Sequence, residues 1–356
     1  MDENPYLLED ILRGILDQKG SDVYIIPGAP VTLKVNNQLK PLFSNKLMLS
    51  ECDDLIHQIY ERASHRPTQR LLENGDDDFS FGLKDLGRFR CNTFKQRGSL
   101  AAVLRVVPFS LPDPKVLHIP DSVLSLSHKK RGMVLVTGPA GSGKTTTLAC
   151  LIDQINVNRS GHIITLEDPI EYIHPHKHCL VTQREIENDT LNFAHALRAS
   201  LREAPDVILL GEMRDYETMQ TALTASETGH LLLSTLHTIG SGKTIDRIVD
   251  VFPAAQQQQV RIQLSMVLQA VVSQQLIPTV DGGIEPAFEV MMVNSAISNM
   301  IRENKIAQID NVIYASSSEG MISMDSDILR LYQAKRISRE NALLYAINPD
   351  TLVKRL

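Results

Sequence analysis

The chain has 356 residues, 43% of them apolar and 22% charged, a composition normal for a globular protein and long enough for two domains. Its formal net charge of -6 argues against a protein whose main task is gripping nucleic acid, since such domains carry a basic excess. The four cysteines, Cys52, Cys91, Cys150 and Cys179, are scattered and form no C-x-x-C pair, so neither a zinc site nor a disulfide scaffold is expected.

The N-terminus, Met1-Asp2-Glu3-Asn4-Pro5, is acidic and lacks the basic and apolar regions of a signal peptide. No later segment reaches the roughly 18 apolar residues of a membrane span. The expectation is a cytoplasmic protein with reduced thiols that meets a membrane only through a partner. Residues 1–110 read as a small α+β domain. Helical spacing of Leu7, Leu8, Ile11, Leu12 and Ile15 predicts a helix over Tyr6–Gln18, ended by Gly20 and Ser21. Strands follow at Val23–Ile26 and Val31–Val35, around the turn Pro27-Gly28-Ala29-Pro30. Ser50 is expected to cap a helix through Leu55, Ile56 and Ile59. Asp78–Gly82, Gly87–Phe94 and Leu100–Val107 complete a sheet. Residues 111–120 carry Pro112, Pro114 and Pro120, and proline resists regular structure, so a linker is placed there.

From residue 121 to 356 the pattern changes. Short apolar runs, Met133–Thr137, Ile163–Leu166, Val207–Leu210 and Leu231–Ser234, alternate with helical patterns. Strands covered on both faces read this way, so an α/β domain with a doubly wound, mostly parallel sheet is expected. Beyond about residue 253 the chain reads as mainly helical. Gln256–Leu276 places Val260, Leu264, Val267, Leu268, Val271 and Val272 at helical spacing, and 295–304 and 325–346 add further helices.

Gly138-Pro139-Ala140-Gly141-Ser142-Gly143-Lys144-Thr145 matches G-x-x-x-x-G-K-[ST], between the strand Met133–Thr137 and a predicted helix Thr146–Asn156. Glycines there let backbone N–H groups turn inward, and these groups with the helix N-terminus surround a β-phosphate. Lys144 neutralises β- and γ-phosphate oxygens, and Thr145 places its hydroxyl on Mg²⁺. ATP and Mg are therefore the expected ligands, with Thr146 beginning the helix behind the loop.

An ATPase also needs groups that orient water and sense the γ-phosphate, at the C-terminal ends of neighbouring strands. Glu167 and Asp168 follow Ile163–Leu166. Glu212 follows Val207–Leu210 and Gly211, where a carboxylate can polarise water or hold Mg²⁺ through water. His230 and His237 bracket Leu231–Ser234, and His237 lies beside the γ-phosphate if that strand neighbours the P-loop strand. His174, His176 and His178 alternate as metal ligands can, but Pro175 and the lack of a matching carboxylate favour a solvated loop.

Taken together, these residues resemble the secretion motor ATPases, and within them the type IV pilus retraction (PilT-like) ATPases. Four boxes occur in the family's order: Gly138–Thr145, Thr165-Leu-Glu-Asp-Pro-Ile-Glu171, Asp206-Val-Ile-Leu-Leu-Gly-Glu-Met-Arg-Asp215, and Thr228-Gly-His-Leu-Leu-Leu-Ser-Thr-Leu-His237. The resemblance implies a PAS-like N-terminal domain, a RecA-like P-loop core and a ring hexamer. It implies Glu212 as catalytic base, Glu167 as a Mg²⁺ and water partner, and His230 and His237 as nucleotide sensors. It further implies phosphate contacts from the arginines of Arg88–Arg97 and the next strand, namely Arg88, Arg90, Arg97 and Arg105. Hydrolysis would move the two domains about the linker and perform work on an inner-membrane pilus platform protein, with no stable nucleic-acid partner. The protein would sit at the cytoplasmic side of the inner membrane.

Two features separate retraction from assembly or type II/IV secretion motors. Assembly and secretion members usually carry a four-cysteine zinc insertion and an additional N-terminal domain, and this chain shows neither. Retraction members carry Ala-Ile-Arg-Asn-Leu-Ile-Arg-Glu, whereas this chain reads Ala296-Ile-Ser298-Asn-Met300-Ile-Arg302-Glu303. Ser298 removes a charge, which points the other way. A nucleic-acid translocase is disfavoured by the acidic total. A non-catalytic P-loop subunit is disfavoured by Lys144, Glu167, Glu212 and both histidines.

Overall fold

The computed structural model describes residues 6–108 and 111–356. Contacts divide the chain into two units, one of residues up to 110 together with Pro169–Ile173, the other of Leu111–Asp168 and His174–Leu356.

The first unit begins with α1 (Leu8–Asp17), which buries Leu8, Ile11, Leu12 and Ile15, the stripe seen in the sequence. Next come β1 (Asp22–Ile25), β2 (Thr32–Val35), β3 (Gln38–Pro41), α2 (Leu49–Arg62), α3 (Gln69–Asn74), β4 (Asp76–Leu83), β5 (Gly87–Gln96) and β6 (Ser99–Val107). The strands form one antiparallel sheet in the order β3-β2-β1-β6-β5-β4. Phe79, Phe81, Phe89 and Cys91 point into the core shared with α1 and α2, while Arg88 and Arg90 alternate onto the other face. Ser50 does not cap α2. The helix starts at Leu49, and the Met48 N–H donates to Glu51 Oε2 at 2.7 Å, so the acid three residues on satisfies the helix entry.

The second unit contains α4 (Asp121–Leu124), β7 (Gly132–Thr137), α5 (Lys144–Asn158), β8 (Gly161–Glu167), β9 (Cys179–Glu185), α6 (Phe193–Ser200), β10 (Val207–Leu210), α7 (Tyr216–Glu227), β11 (Leu231–Leu236), α8 (Ser241–Asp250), α9 (Ala254–Val267), β12 (Leu268–Pro278) and β13 (Ile284–Met292). Helices α10 (Ser295–Arg302), α11 (Ile309–Ala315), α12 (Met324–Gln333), α13 (Arg339–Tyr345) and α14 (Pro349–Leu352) complete it. The seven strands lie in the order β13-β12-β7-β11-β10-β8-β9, all neighbours parallel except β12 and β13. Each central strand is covered twice. Met133 and Leu135 enter one core, Val134 and Val136 the other, which is why β7 reads as an unbroken apolar run. This is a RecA-like P-loop core.

The helical reading beyond residue 253 is corrected at its centre. The chain is helical only to Val267, and Leu268–Pro278 and Ile284–Met292 are strands. An apolar run such as Leu268-Gln-Ala-Val-Val fits a helix period as well as a buried strand. Pairing with β7 on one side and β13 on the other decides the outcome, because the backbone N–H and C=O groups along both edges of β12 are then hydrogen-bonded.

Candidate nucleotide-binding and catalytic site

The P-loop leaves the C-terminal end of β7 and returns as α5. Gly138 has φ +139°, and a Cβ there would lie 2.2 Å from the Gln274 carbonyl oxygen of β12. Gly143, at φ +85°, is the residue immediately before α5. Only glycine meets both demands, the left-handed backbone and the close approach of a neighbouring strand. Lys144 is largely buried, and its Nζ donates to Gly138 O at 2.9 Å and Pro139 O at 2.8 Å, so the ammonium is held inside the loop. Thr147 Oγ1 donates to Gln274 Oε1 at 2.7 Å, bolting the first turn of α5 to β12. A cavity of about 390 Å³ adjoins this turn, lined by Gly143, Thr146 and Thr147 and by Leu276, Ile284 and Arg336.

Strand order brings the other candidates to the same end of the sheet. β11 pairs with β7 so that Leu236 lies opposite Thr137, and Gly138 N donates to Leu236 O at 3.2 Å. His237 therefore leaves the sheet beside the P-loop. On the other side β10 pairs with β8, and Gly211 N donates to Leu166 O at 2.8 Å, which sets Glu212 next to Glu167. Thr235 Oγ1 donates to Gly211 O at 2.6 Å and fixes the Gly211–Glu212 turn against β11. Glu212 Oε2 lies 3.4 Å from His237 Nε2 and 2.6 Å from Arg214 Nε. Glu167 is 7% exposed, and its Oε1 accepts from Thr165 Oγ1 at 2.6 Å and from Gln183 Nε2 at 3.2 Å.

Other candidates are not gathered there. His230 precedes β11, at the end opposite His237 and the P-loop, and its Nδ1 faces Ala225 O at 3.0 Å and Thr228 Oγ1 at 3.1 Å. Six residues of strand intervene, roughly 20 Å, so within this chain the expected sensor role of His230 does not fit its position. His174 is 5% exposed rather than solvated, because β9 pairs with β8 and draws the preceding loop over α5. Its N–H donates to Gln183 Oε1 at 2.8 Å.

In the first unit, Arg90 and Arg105 are cross-strand partners on β5 and β6, and Arg88 lies on the same face. Arg90 reaches Asp78 at 2.6 Å, Arg105 reaches Asp22 at 2.8 Å, and Arg88 donates to Ser80. Burial pushes the Asp22 carboxyl up, but hydrogen bonds from Ser21 and Arg105 outweigh it and hold the group below its ordinary range. Arg97 is set apart. It sits exposed in the two-residue Arg97-Gly98 hairpin turn, both residues at positive φ (49° and 82°).

The donor set suits a hard cation. Thr145 on the first turn of α5 supplies a hydroxyl, and Glu167 and Glu212 supply carboxylates at the same sheet end, all oxygen donors. Among the described residues no three His, Cys, Asp or Glu side chains form a metal nest by themselves, so a Mg²⁺ here would rely on nucleotide oxygens as well. Gln183, Gln274, Thr235 and Arg214 escaped the sequence reading. Arg214 and Thr235 had a signal, each two residues from a candidate, Glu212 and His237.

The family described as type II/IV secretion system protein matches residues 4–342. The chain is 43% identical over 343 residues to a Pseudomonas aeruginosa protein named type IV pilus retractation ATPase PilT, across 96% of this chain and 99% of that one. It is 42% identical over 348 residues to a Neisseria gonorrhoeae protein named twitching motility protein, across 98% of this chain and 92% of the other. The crystal structure of the pilus retraction motor PilT with bound ADP matches at a TM-score of 0.88 and 47% identity, covering 98% of this chain and 99% of that one. With its P-loop, Glu167, Glu212 and His237 at one end of a RecA-like sheet, and with the family's model matched over residues 4–342, the chain belongs to the type II/IV secretion system protein family.

Proposed function

We propose that this protein is an ATP-hydrolysing motor that powers type IV pilus retraction, working as a homo-hexamer on an inner-membrane platform protein from the cytoplasmic side. The observation that carries the reading is the convergence of Lys144, Glu167, Glu212 and His237 at one sheet end, in a chain similar over nearly its whole length to a pilus retraction ATPase. Lys144 and the loop amides bind the β- and γ-phosphates. The cavity beside Thr146 and Thr147 has the apolar lining and size for the nucleoside. Glu212 orients the attacking water and takes its proton as the bond between the γ-phosphorus and the bridging oxygen of ADP breaks. His237, on the P-loop side of that carboxylate, reports the γ-phosphate to β11. Thr145, with Glu167 and Glu212, would hold Mg²⁺, which would supply charge neutralisation for the triphosphate. No helix among the described residues is long and apolar enough to cross a membrane.

Pilus assembly is the second reading, favoured by Ser298. In this chain Ser298 Oγ donates to Ser265 O at 2.6 Å and ties α10 to the last turn of α9, where retraction members carry an arginine. Counting surface pili on cells whose only copy is Lys144→Ala separates the two. Retraction predicts more pili than wild type with loss of pilus-dependent movement. Few or no pili would assign the protein to assembly.

A further inference from the structure

Glu212 is already engaged. Arg214 Nε reaches its Oε2 at 2.6 Å, on the same oxygen that faces His237 Nε2 at 3.4 Å. That one oxygen, turned to a guanidinium, is not aimed at a water, and the ion pair fixes the orientation of the carboxylate, leaving Oε1 where the pair sets it. The neighbouring acid does not compete for Arg214. Asp215 caps α7, its Oδ1 accepting from Thr218 N and its Oδ2 from Thr218 Oγ1, both at 2.8 Å. The Arg214 side chain is 71% exposed, so the pair is solvent-screened and easily exchanged. Its loop is also well placed. Met213 N donates to Thr235 O at 3.3 Å, which lays this segment along β11, the strand beside β7 and the P-loop.

We propose that Glu212 and the γ-phosphate compete for Arg214, and that transfer of Arg214 to the γ-phosphate releases Glu212 to act as base. The guanidinium fork matches two phosphoryl oxygens as well as it matches a carboxylate, and the γ-phosphate carries more charge than Glu212. Arg214 thus couples presence of the third phosphate to readiness of the base, and ADP leaves the pair in place. The inference rests on ATP being the substrate, and it adds a cis arginine from the β10–α7 loop to the site.

The test is equilibrium binding of ADP and of a non-hydrolysable ATP analogue to the full chain, for wild type, Arg214→Ala, Glu212→Gln and the double variant. Arg214→Ala is expected to weaken the analogue about tenfold or more while leaving ADP within about twofold. Glu212→Gln should tighten the analogue, and the gain should vanish in the double variant, a non-additivity that a merely structural loop residue would not produce. Arg214→Lys, which keeps charge but not the fork, should fall between, and it carries the comparison if the alanine variant melts early. Equal weakening of ADP and analogue, or additive effects, would overturn the proposal. A wild-type chain that binds neither nucleotide would instead overturn the ATPase reading beneath it.

Discussion

His174 gives the protein an acid sensitivity whose size follows from its burial. The ring is 5% exposed, and its Nδ1 has no hydrogen-bond partner among the described residues. Burial, with Lys177 nearby and Asp153 only partly opposing, pushes its pKa down from 6.5 to about 4. The unfolded chain therefore takes up a proton first as pH falls, so stability present above 6.5 declines progressively down to about 4. Integrated from pH 7 to pH 5, that one group costs about 2 kcal/mol. The residue lies close to the site, its backbone N–H donating to Gln183 Oε1 and Gln183 Nε2 donating to Glu167. Denaturant unfolding at pH 7 and pH 5, on wild type and His174→Leu, reads it directly. The chain has no tryptophan, so circular dichroism is the probe. Wild type should lose about 2 kcal/mol more than the variant over this interval, the carboxylates being common to both. Equal losses would refute the reasoning.

Three further outcomes are expected. Gly138→Ala drives a Cβ to 2.2 Å from the Gln274 backbone oxygen at a φ that side chains rarely adopt, so nucleotide binding should be lost in a fluorescent-nucleotide titration, and wild-type affinity would contradict it. Gln183→Leu removes a donor to Glu167 Oε1 and should lower kcat about tenfold with a smaller change in KM, measured by phosphate release. Burial, then Asp53, pushes the Cys52 thiol up to about 12, and burial, then Asp153, pushes Cys150 to about 11. Iodoacetamide at pH 8 should therefore label these cysteines only after denaturation, as read by mass spectrometry, and fast labelling of the native protein would contradict the burial.

Much of this was legible in the sequence where local chemistry decides the outcome. The P-loop glycines, the four apolar runs that became β7, β8, β10 and β11, and the stripe of α1 all carry their own signals. What escaped depends on partners distant in sequence. The apolar run of β12 is helical by spacing and a strand only because β7 and β13 flank it. His230 and His237 look equivalent as brackets of one strand, and the direction of β11 sends them to opposite ends of the sheet. His174 reads as a loop residue until β9, itself unpredicted, draws it over α5. Gln183 and Gln274 are ordinary polar residues whose roles arise from hydrogen bonds to Glu167 and Thr147, across 16 and 127 positions.

The central claim is that Lys144 and Glu212 divide binding from chemistry at one ATP site. Single-turnover hydrolysis alongside ATP binding, for wild type, Lys144→Ala and Glu212→Gln, tests it most directly. The account predicts that wild type binds and hydrolyses, that Lys144→Ala loses binding or turnover, and that Glu212→Gln binds ATP but does not cleave it. Wild-type turnover in both variants would contradict it.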